Sequence, residues 1–279
     1  MIEPAPAAES LAALGGLLAQ GDVVVLTGAG VSTDSGIPAY RDEEGRWKQP
    51  APMQFRDFTG SELARQRYWA RSMVGWARMA HAQPNEAHRA LSELERRGRL
   101  RLLITQNVDA LHSAAGSENV VDLHGRLDRV ICLACKGLSP RSELQERLVA
   151  DNPEFLEQSF VARADGDAEL SVDYERFRLS ACAACDGVLK PDVVFFGENV
   201  PAPRVERAMA SLVGARALLI AGSSLMVFSG FRFARAAARL GVPIVVVNLG
   251  KTRADELASL RLAGNVGQLL QGALSALPR

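Results

Sequence analysis

The sequence predicts an α/β protein: a parallel sheet covered by helices on both faces, with a second, smaller lobe. Three observations carry this expectation. Four short apolar runs, at residues 23–27, 101–105, 217–221 and 243–248, each lead into a polar or glycine-containing turn. Helical spacing fills 8–20, 84–98, 203–213 and 229–240, and such alternation argues for parallel strands joined by helices. The four cysteines break the alternation, because they fall in two C-x-x-C pairs within residues 126–190.

The first helix places Leu11, Leu14, Leu17 and Leu18 on one face. The first strand, Val23-Val24-Val25-Leu26, runs into TGAGVSTDSGIPAYR, residues 27–41. A buried strand followed by two close glycines is the usual entry to a nucleotide diphosphate site. Gly28 and Gly30 let the main chain approach a pyrophosphate, and a following helix would offer its free N–H groups. The run departs from G-x-G-x-x-G, because Thr33 stands where the third glycine belongs. Pro38 resists a continued helix, so a short helix is expected to give way to an ordered loop that places Tyr40 and Arg41 near the ligand. Residues 42–80, with Trp47, Phe55, Phe58, Tyr68, Trp69 and Trp76, read as a small helical module.

The second strand ends in Thr105-Gln106-Asn107-Val108-Asp109-Ala110-Leu111-His112. Two amides and a carboxylate in four positions suit a ribose and a carboxamide, and they offset a developing positive charge; Asn107 and Asp109 also fit an ordinary turn. Another apolar stretch, Val120–Leu123, precedes His124-Gly125. Of the four histidines, His124 is the candidate general base, since it falls between the lobes and titrates near neutrality. His81 and His88 flank Pro84-Asn85 and read as structural, and His112 as a capping or packing residue. Cys132, Cys135, Cys182 and Cys185 form two knuckles with 46 residues between them. Four cysteine ligands leave a zinc ion no open position, so the zinc is expected to be structural. A redox role lacks the surrounding strand-helix context. Asp165-Gly166-Asp167 reads as a loop.

Composition excludes other classes. The 279 residues leave room for one large domain or a large and a small one, and 48% hydrophobic content suits an ordinary core. Zero net charge argues against a general nucleic-acid or membrane binder. The 28 Arg against four Lys read as genome composition. No apolar run reaches membrane-spanning length. Residues 1–6 do not resemble a secretory or mitochondrial leader, and the chain is expected to be cytoplasmic and monomeric. Paired cysteines without an export signal favour metal over disulfides.

The ordered set resembles the sirtuins, the NAD-dependent protein-lysine deacylases. The matching pieces are GAGVSTDSGIPAYR, TQNVDALH, His124-Gly125, both cysteine pairs, KPDVVFFGE at 190–198, Gly222-Ser223-Ser224 and Asn248-Leu249. Tyr68-Trp69-Ala70-Arg71, Val74-Gly75-Trp76, Leu144-Gln145-Glu146-Arg147 and the long insertion between cysteine pairs resemble the class II branch. That branch includes a mitochondrial sirtuin with ADP-ribosyltransferase, lipoamidase and deacylase activities.

The resemblance implies a Rossmann-like lobe, about 1–41, 81–125 and 191–279. It implies a small lobe made of the helical insertion, about 42–80, and a zinc ribbon, about 126–190. Gly28, Ala29, Gly30, Ser32, Tyr40 and Arg41 would then contact NAD. Gln106, Asn107 and Asp109 would line its nicotinamide and ribose, Gly222, Ser223 and Ser224 its phosphate and ribose, and Asn248 and Val266 its adenosine. Val194, Phe195, Phe196, Gly197 and Glu198 would form the strand that pairs with an acyl-lysine peptide. His124, Asn107 and Asp109 would be catalytic. The acyl oxygen attacks the ribose carbon bearing nicotinamide, and nearby amide and carboxylate groups offset the cationic character. His124 then deprotonates a ribose hydroxyl. The products are lysine, nicotinamide and O-acyl ADP-ribose.

Two departures stand out: Ala39-Tyr40 in place of the commoner Asp-Phe, and Phe228-Ser229 where a proline usually follows Ser-Leu-x-Val. The insertion at 151–178 leaves longer acyl chains open. Mono-ADP-ribosyl transfer, a lipoamidase-like activity and a non-catalytic NAD-binding scaffold remain as alternatives. A hydride-transferring dehydrogenase fits less well, given Thr33 and the cysteine lobe.

Overall fold

A computed structural model describes residues 7–48, 52–156, 161–162, 168–169 and 172–277. The Asp165-Gly166-Asp167 loop and residues 1–6 lie outside them. In chain order the elements begin with helix α1 (Ala7–Gln20), strand β1 (Val23–Thr27), helices α2 (Phe55–Gly60), α3 (Glu62–His81) and α4 (Glu86–Arg96), and strand β2 (Leu100–Thr105). Helix α5 (Leu111–Ala114) and strands β3 (Val120–Asp122), β4 (Gly125–Cys132) and β5 (Leu138–Pro140) follow, then helix α6 (Arg141–Asp151). After the two-residue strands β6 (Val161–Ala162) and β7 (Ala168–Glu169) come β8 (Leu189–Val193), α7 (Ala202–Leu212), β9 (Ala217–Ala221) and α8 (Phe228–Arg239). The chain closes with β10 (Ile244–Val247), β11 (Leu260–Leu262) and α9 (Val266–Ser275).

The large sheet is six-stranded, in the order β11-β10-β9-β1-β2-β3, and all its pairings are parallel. This is the Rossmann-like sheet the sequence predicts. Its central strands read as unbroken apolar runs because both faces are covered. Val24, Leu26, Ile104, Leu218 and Ile220 pack with Phe233 and Ala234 of α8 and Leu212 of α7. Val23, Val25, Leu103, Leu219 and Val247 pack on the opposite face with Leu14 and Leu18 of α1, Leu91 of α4 and Leu270 of α9. Successive strand residues alternate between the two cores, as the pleat requires. Thr27 is level with Thr105 on one side and Ala221 on the other, so the polar turns emerge along one line.

A second sheet, β5-β4-β8, is antiparallel and carries the cysteine knuckles at its end. It shares an apolar core with α3 and α6, including Trp69, Met73, Val130, Leu144 and Phe177. Arg141 of α6 is buried there, with its guanidinium over the rings of Trp76 (4.8 Å) and Trp69 (5.4 Å). Burial pulls that arginine down to about 10. The helices α2 and α3 account for the helical reading of the first insertion.

The stretch after β1 differs from the expected short helix. It forms two 3-10 turns, Ala29–Val31 and Thr33–Ser35, closed by Gly36 at φ 81°. The left-handed Gly36, followed two residues later by Pro38, leaves no path for an α-helix.

Phe233 is fully buried against the sheet behind the strand ends. Phe233→Ala should lower the unfolding free energy by about 3–5 kcal/mol in a denaturant titration.

Candidate active site

The C-terminal ends of β1, β2 and β9 open into a cleft of 710 Å³. Two loops cross on its floor. Gly30 N–H donates to the Gly222 carbonyl at 2.8 Å, and Gly222 adopts φ 61°. A Cβ on Gly222 would lie 2.5 Å from Val31 N, and one on Gly30 would lie 2.9 Å from Gly222 O. Such close main-chain approach leaves a cradle free of side chains, which suits a dinucleotide's diphosphate.

Gly28, Ala29, Tyr40, Arg41, Gln106, Asn107, His124, Ser223, Ser224, Asn248 and Val266 line this same cleft, together with Gly30 and Gly222. Val194, Phe195, Phe196, Gly197 and Glu198 line it too. Ser32 and Asp109 line an adjoining side pocket of 30 Å³ with Ile37, Pro38 and Met79, and Ala29, Tyr40, Gln106 and Asn107 line both spaces. The structure gives Ser32 a bracing role besides. Its side chain is buried and accepts from Asn107 Nδ2 (2.9 Å) while donating to Asp109 Oδ2 (2.7 Å). Ser32 therefore braces two predicted catalytic side chains from behind.

Asn107 gives its other amide proton to the Gly28 carbonyl (3.1 Å), which leaves its oxygen for a ligand. Burial raises the Asp109 carboxyl, opposed by hydrogen bonds from Leu111 N–H and the Ser32 hydroxyl. Two buried histidines lie behind this cluster, with ring centroids 4.7 Å apart. His112 Nε2 meets Thr27 Oγ1 at 2.9 Å, and burial, with His88 adding, holds its pKa well below the ordinary value. His88 closes a capping box with Asn85 at the start of α4, and burial lowers it to about 4, with Arg89 adding. Both are packing groups, in line with the sequence reading.

His124 is held from both sides. Its Nδ1 is 2.9 Å from the Gln106 carbonyl, which only accepts, so the proton sits on Nδ1. Nε2 is left as the basic nitrogen, 2.8 Å from Ser229 Oγ. Burial pushes the imidazole pKa down; the Gln106 bond opposes this, and Arg204 and Arg232 add to it. Gly125 turns the chain at φ 82°, where any Cβ would collide with the Asp192 carbonyl.

In the segment 194–198, implied to pair with a peptide, Phe196 forms an isolated parallel bridge with Gln54. β8 stops at Val193, and the next residues turn. Val194 N–H donates to the His124 carbonyl (2.8 Å), and Phe196 O accepts from Phe55 N–H (2.8 Å). Glu198 Oε2 accepts from Phe195 N–H (2.9 Å) and pairs with the buried Lys190 ammonium (3.1 Å). Gly197 at φ 81° permits the turn. Sequence reasoning missed Thr33, Trp47, Tyr68, Met226 and Ser229 as lining residues. The aromatics of the first insertion were a usable signal for Trp47 and Tyr68. Nothing local marks Ser229.

The four cysteine sulfurs lie within 4.8 Å of one another. Cys132 and Cys185 Sγ are 3.6 Å apart, and Cys135 and Cys182 Sγ 3.9 Å. Zn–S bonds of about 2.3 Å put tetrahedral sulfurs about 3.8 Å apart, so the set fits zinc. Backbone N–H groups of Cys135 and Ala134 point at the Cys132 sulfur and lower its pKa, favouring the thiolate there.

A cleft with these features belongs to an NAD-dependent protein deacylase. The model of the Sir2 family matches residues 28–229, and the chain belongs to that family. It is 58% identical over 247 residues to an NAD-dependent protein deacetylase of Xanthomonas campestris pv. campestris strain 8004, covering 88% of this chain and 84% of that protein. Among solved structures, a Sir2–p53 peptide–NAD+ complex has a TM-score of 0.72 at 29% identity, covering 93% of this chain and 95% of that one. Sir2Af2 bound to a myristoylated histone peptide has a TM-score of 0.68 at 27% identity, covering 96% of each chain.

Elemental analysis should find about one zinc per chain. Cys182→Ser should hold less than about a tenth of that and lose near-ultraviolet circular dichroism from the Trp69–Trp76 region. A second outcome follows from His88, whose folded pKa of about 4 lies below the ordinary 6.5. Its contribution to stability is complete above pH 6.5 and is lost as pH falls through 6.5 to 4, by about 3 kcal/mol. Denaturant titrations across that window should show the loss, and His88→Gln should flatten it.

Proposed function

We propose that His124 is the general base of an NAD-dependent protein-lysine deacylase, and that the cleft receives NAD over the glycine crossing and an acyl-lysine chain beside residues 194–198. The single observation that carries this reading is the His124 geometry: Nδ1 committed to a carbonyl and Nε2 basic within the cleft. NAD supplies a ribose carbon that becomes electrophilic as nicotinamide leaves. Asn107 and Asp109 sit behind that position to offset the charge, and His124 takes a proton from a ribose hydroxyl. The glycine crossing orients the diphosphate, and Tyr40, Arg41 and Trp47 cover it. Arg41 lies over the Trp47 ring at 4.0 Å, and Trp47 meets Phe196 edge-on at 5.8 Å, so the cofactor loop leans on the substrate segment.

The finer assignment within the family is to the class II branch. Supporting it are the Tyr68–Arg71 and Val74–Trp76 runs on α3, with Tyr68 reaching the cleft. The division into a large lobe (1–41, 81–125, 191–279) and a small one (42–80, 126–190) goes with this reading. Three separate apolar clusters support it, two against the large sheet and one among α3, α6, β4 and β8. A cytoplasmic site of action fits four reduced thiols gathered for a metal. Among the described residues no helix is long and apolar enough to cross a membrane.

Incubation with NAD and an acyl-lysine peptide should release nicotinamide and lysine peptide together. A panel from acetyl to long acyl chains would rank the pocket's preference. His124→Ala should cost about 10²–10⁴-fold in kcat. Because His124 is pushed down by burial, it stays neutral to lower pH, so the acidic limb of kcat/KM should lie below about pH 6.5. Silence across the whole panel, or an unchanged His124→Ala rate, would overturn the reading.

A further inference from the structure

Among the described residues, Ser229 is the one whose hydroxyl meets His124 Nε2. Its Oγ is 2.8 Å from His124 Nε2, and both residues line the cleft. With the imidazole proton on Nδ1, Nε2 only accepts, so the serine hydroxyl donates to it. Serine at a helix start ordinarily caps the helix. Here the N-cap residue is Val227, with no side-chain cap, and Ser229 lies two residues inside α8. Its hydroxyl is directed to the histidine instead.

The neighbouring residue makes this approach possible. Gly230 sits within α8, where glycine costs about 1 kcal/mol relative to alanine. A Cβ there would run into the Gln106 side chain. Gln106 is the residue whose carbonyl holds His124 Nδ1, and its Nε2 donates to Ser223 Oγ (2.8 Å) and to the Thr27 carbonyl (3.1 Å). The first turn of α8 is thus pressed against the Gln106–His124 pair, and Ser229 is held there by packing.

We propose that Ser229 is a further catalytic residue, which together with His124 Nε2 receives the vicinal hydroxyl pair of the nicotinamide ribose. The proposal rests on NAD occupying the cleft. Nε2 and Oγ are spaced much as the neighbouring oxygens of a cis-diol are. Before NAD enters, the serine hydroxyl occupies the nitrogen's lone pair. When the ribose arrives, one of its hydroxyls takes that lone pair and passes its proton to Nε2. Ser229 keeps its own proton and turns to the adjacent ribose oxygen. The serine therefore selects for an intact diol and sets which hydroxyl faces the base.

The test is a cycle between protein and ligand. Binding of NAD, and of analogues lacking the 2′ or the 3′ hydroxyl on the nicotinamide ribose, is measured by calorimetry without peptide for wild type, Ser229→Ala and Ser229→Thr. Ser229→Ala should weaken NAD binding about 3–10-fold and leave binding of one deoxy analogue unchanged. Ser229→Thr, which keeps the hydroxyl, should bind NAD like wild type. Circular dichroism melting checks that each variant is folded. Equal weakening for NAD and both analogues, no weakening at all, or a threonine variant as impaired as the alanine one would each overturn the proposal. Turnover of wild type and His124→Ala, run alongside, decides the deacylase reading separately, because the binding cycle needs no turnover.

Discussion

The contact of two main chains at Gly30 and Gly222 is the constraint on which the cleft depends. β1 and β9 are neighbours in register, so the loops leaving them must cross at the same level. The crossing succeeds because neither residue carries a Cβ and because Gly30 N–H meets the Gly222 carbonyl. A sequence of positions is then set in turn. Gly222 fixes Ser223, whose hydroxyl accepts from the Gln106 side chain. Gln106, so held, presents its carbonyl to His124 Nδ1. The tautomer of His124 is thereby tied to the backbone crossing on the cleft floor.

Behind that floor lies a polar cluster that the low local dielectric makes sensitive. Thr27, Ser32, His88, Asn107, Asp109 and His112 come from the ends of β1 and β2, the short α5 and the start of α4, and Thr27, Ser32, His88 and His112 are buried. Ser32 serves as the shared hydroxyl, accepting from Asn107 and donating to Asp109. Loss of one partner in such a network leaves the others unsatisfied, which costs about 1–3 kcal/mol per group. The histidines work here as neutral rings. Their burial keeps a second positive charge away from a site where positive charge must develop on the ligand.

Strands buried on both faces are legible in a sequence because every residue is apolar, and β1, β2, β9 and β10 follow the predicted runs to within a residue or two. β11 escaped notice because it has three residues with an arginine in the middle, and at the sheet edge its pattern says little. α9 mixes Val266, Leu269, Leu270, Ala273 and Leu274 with glycines, which weakens its helical signal. At the site, glycines and His124 stand out by local pattern. The bracing role of Ser32 went unread because its partners lie 75 and 77 residues away. Ser229 was read only as a substitution for a proline, since its partner His124 is 105 residues distant. Side-chain chemistry that depends on such distant pairs has no local trace.

His124 is the residue where both halves of the molecule meet. Its ring is held by Gln106, at the end of the large sheet, while its carbonyl accepts from Val194, just past β8 of the small sheet. β4, which begins at Gly125, ends at Cys132, where it pairs with Leu189 of β8. The register of that strand pair is tied at one end by the cysteine cluster and at the other by His124 and Val194. A slip between β4 and β8 would move the His124 main chain while Gln106 kept hold of the ring. A misplacement of about 1 Å costs on the order of 10²-fold in rate. A four-cysteine site with no open coordination position therefore still bears on the cleft, through the register of the β4–β8 pair beside His124.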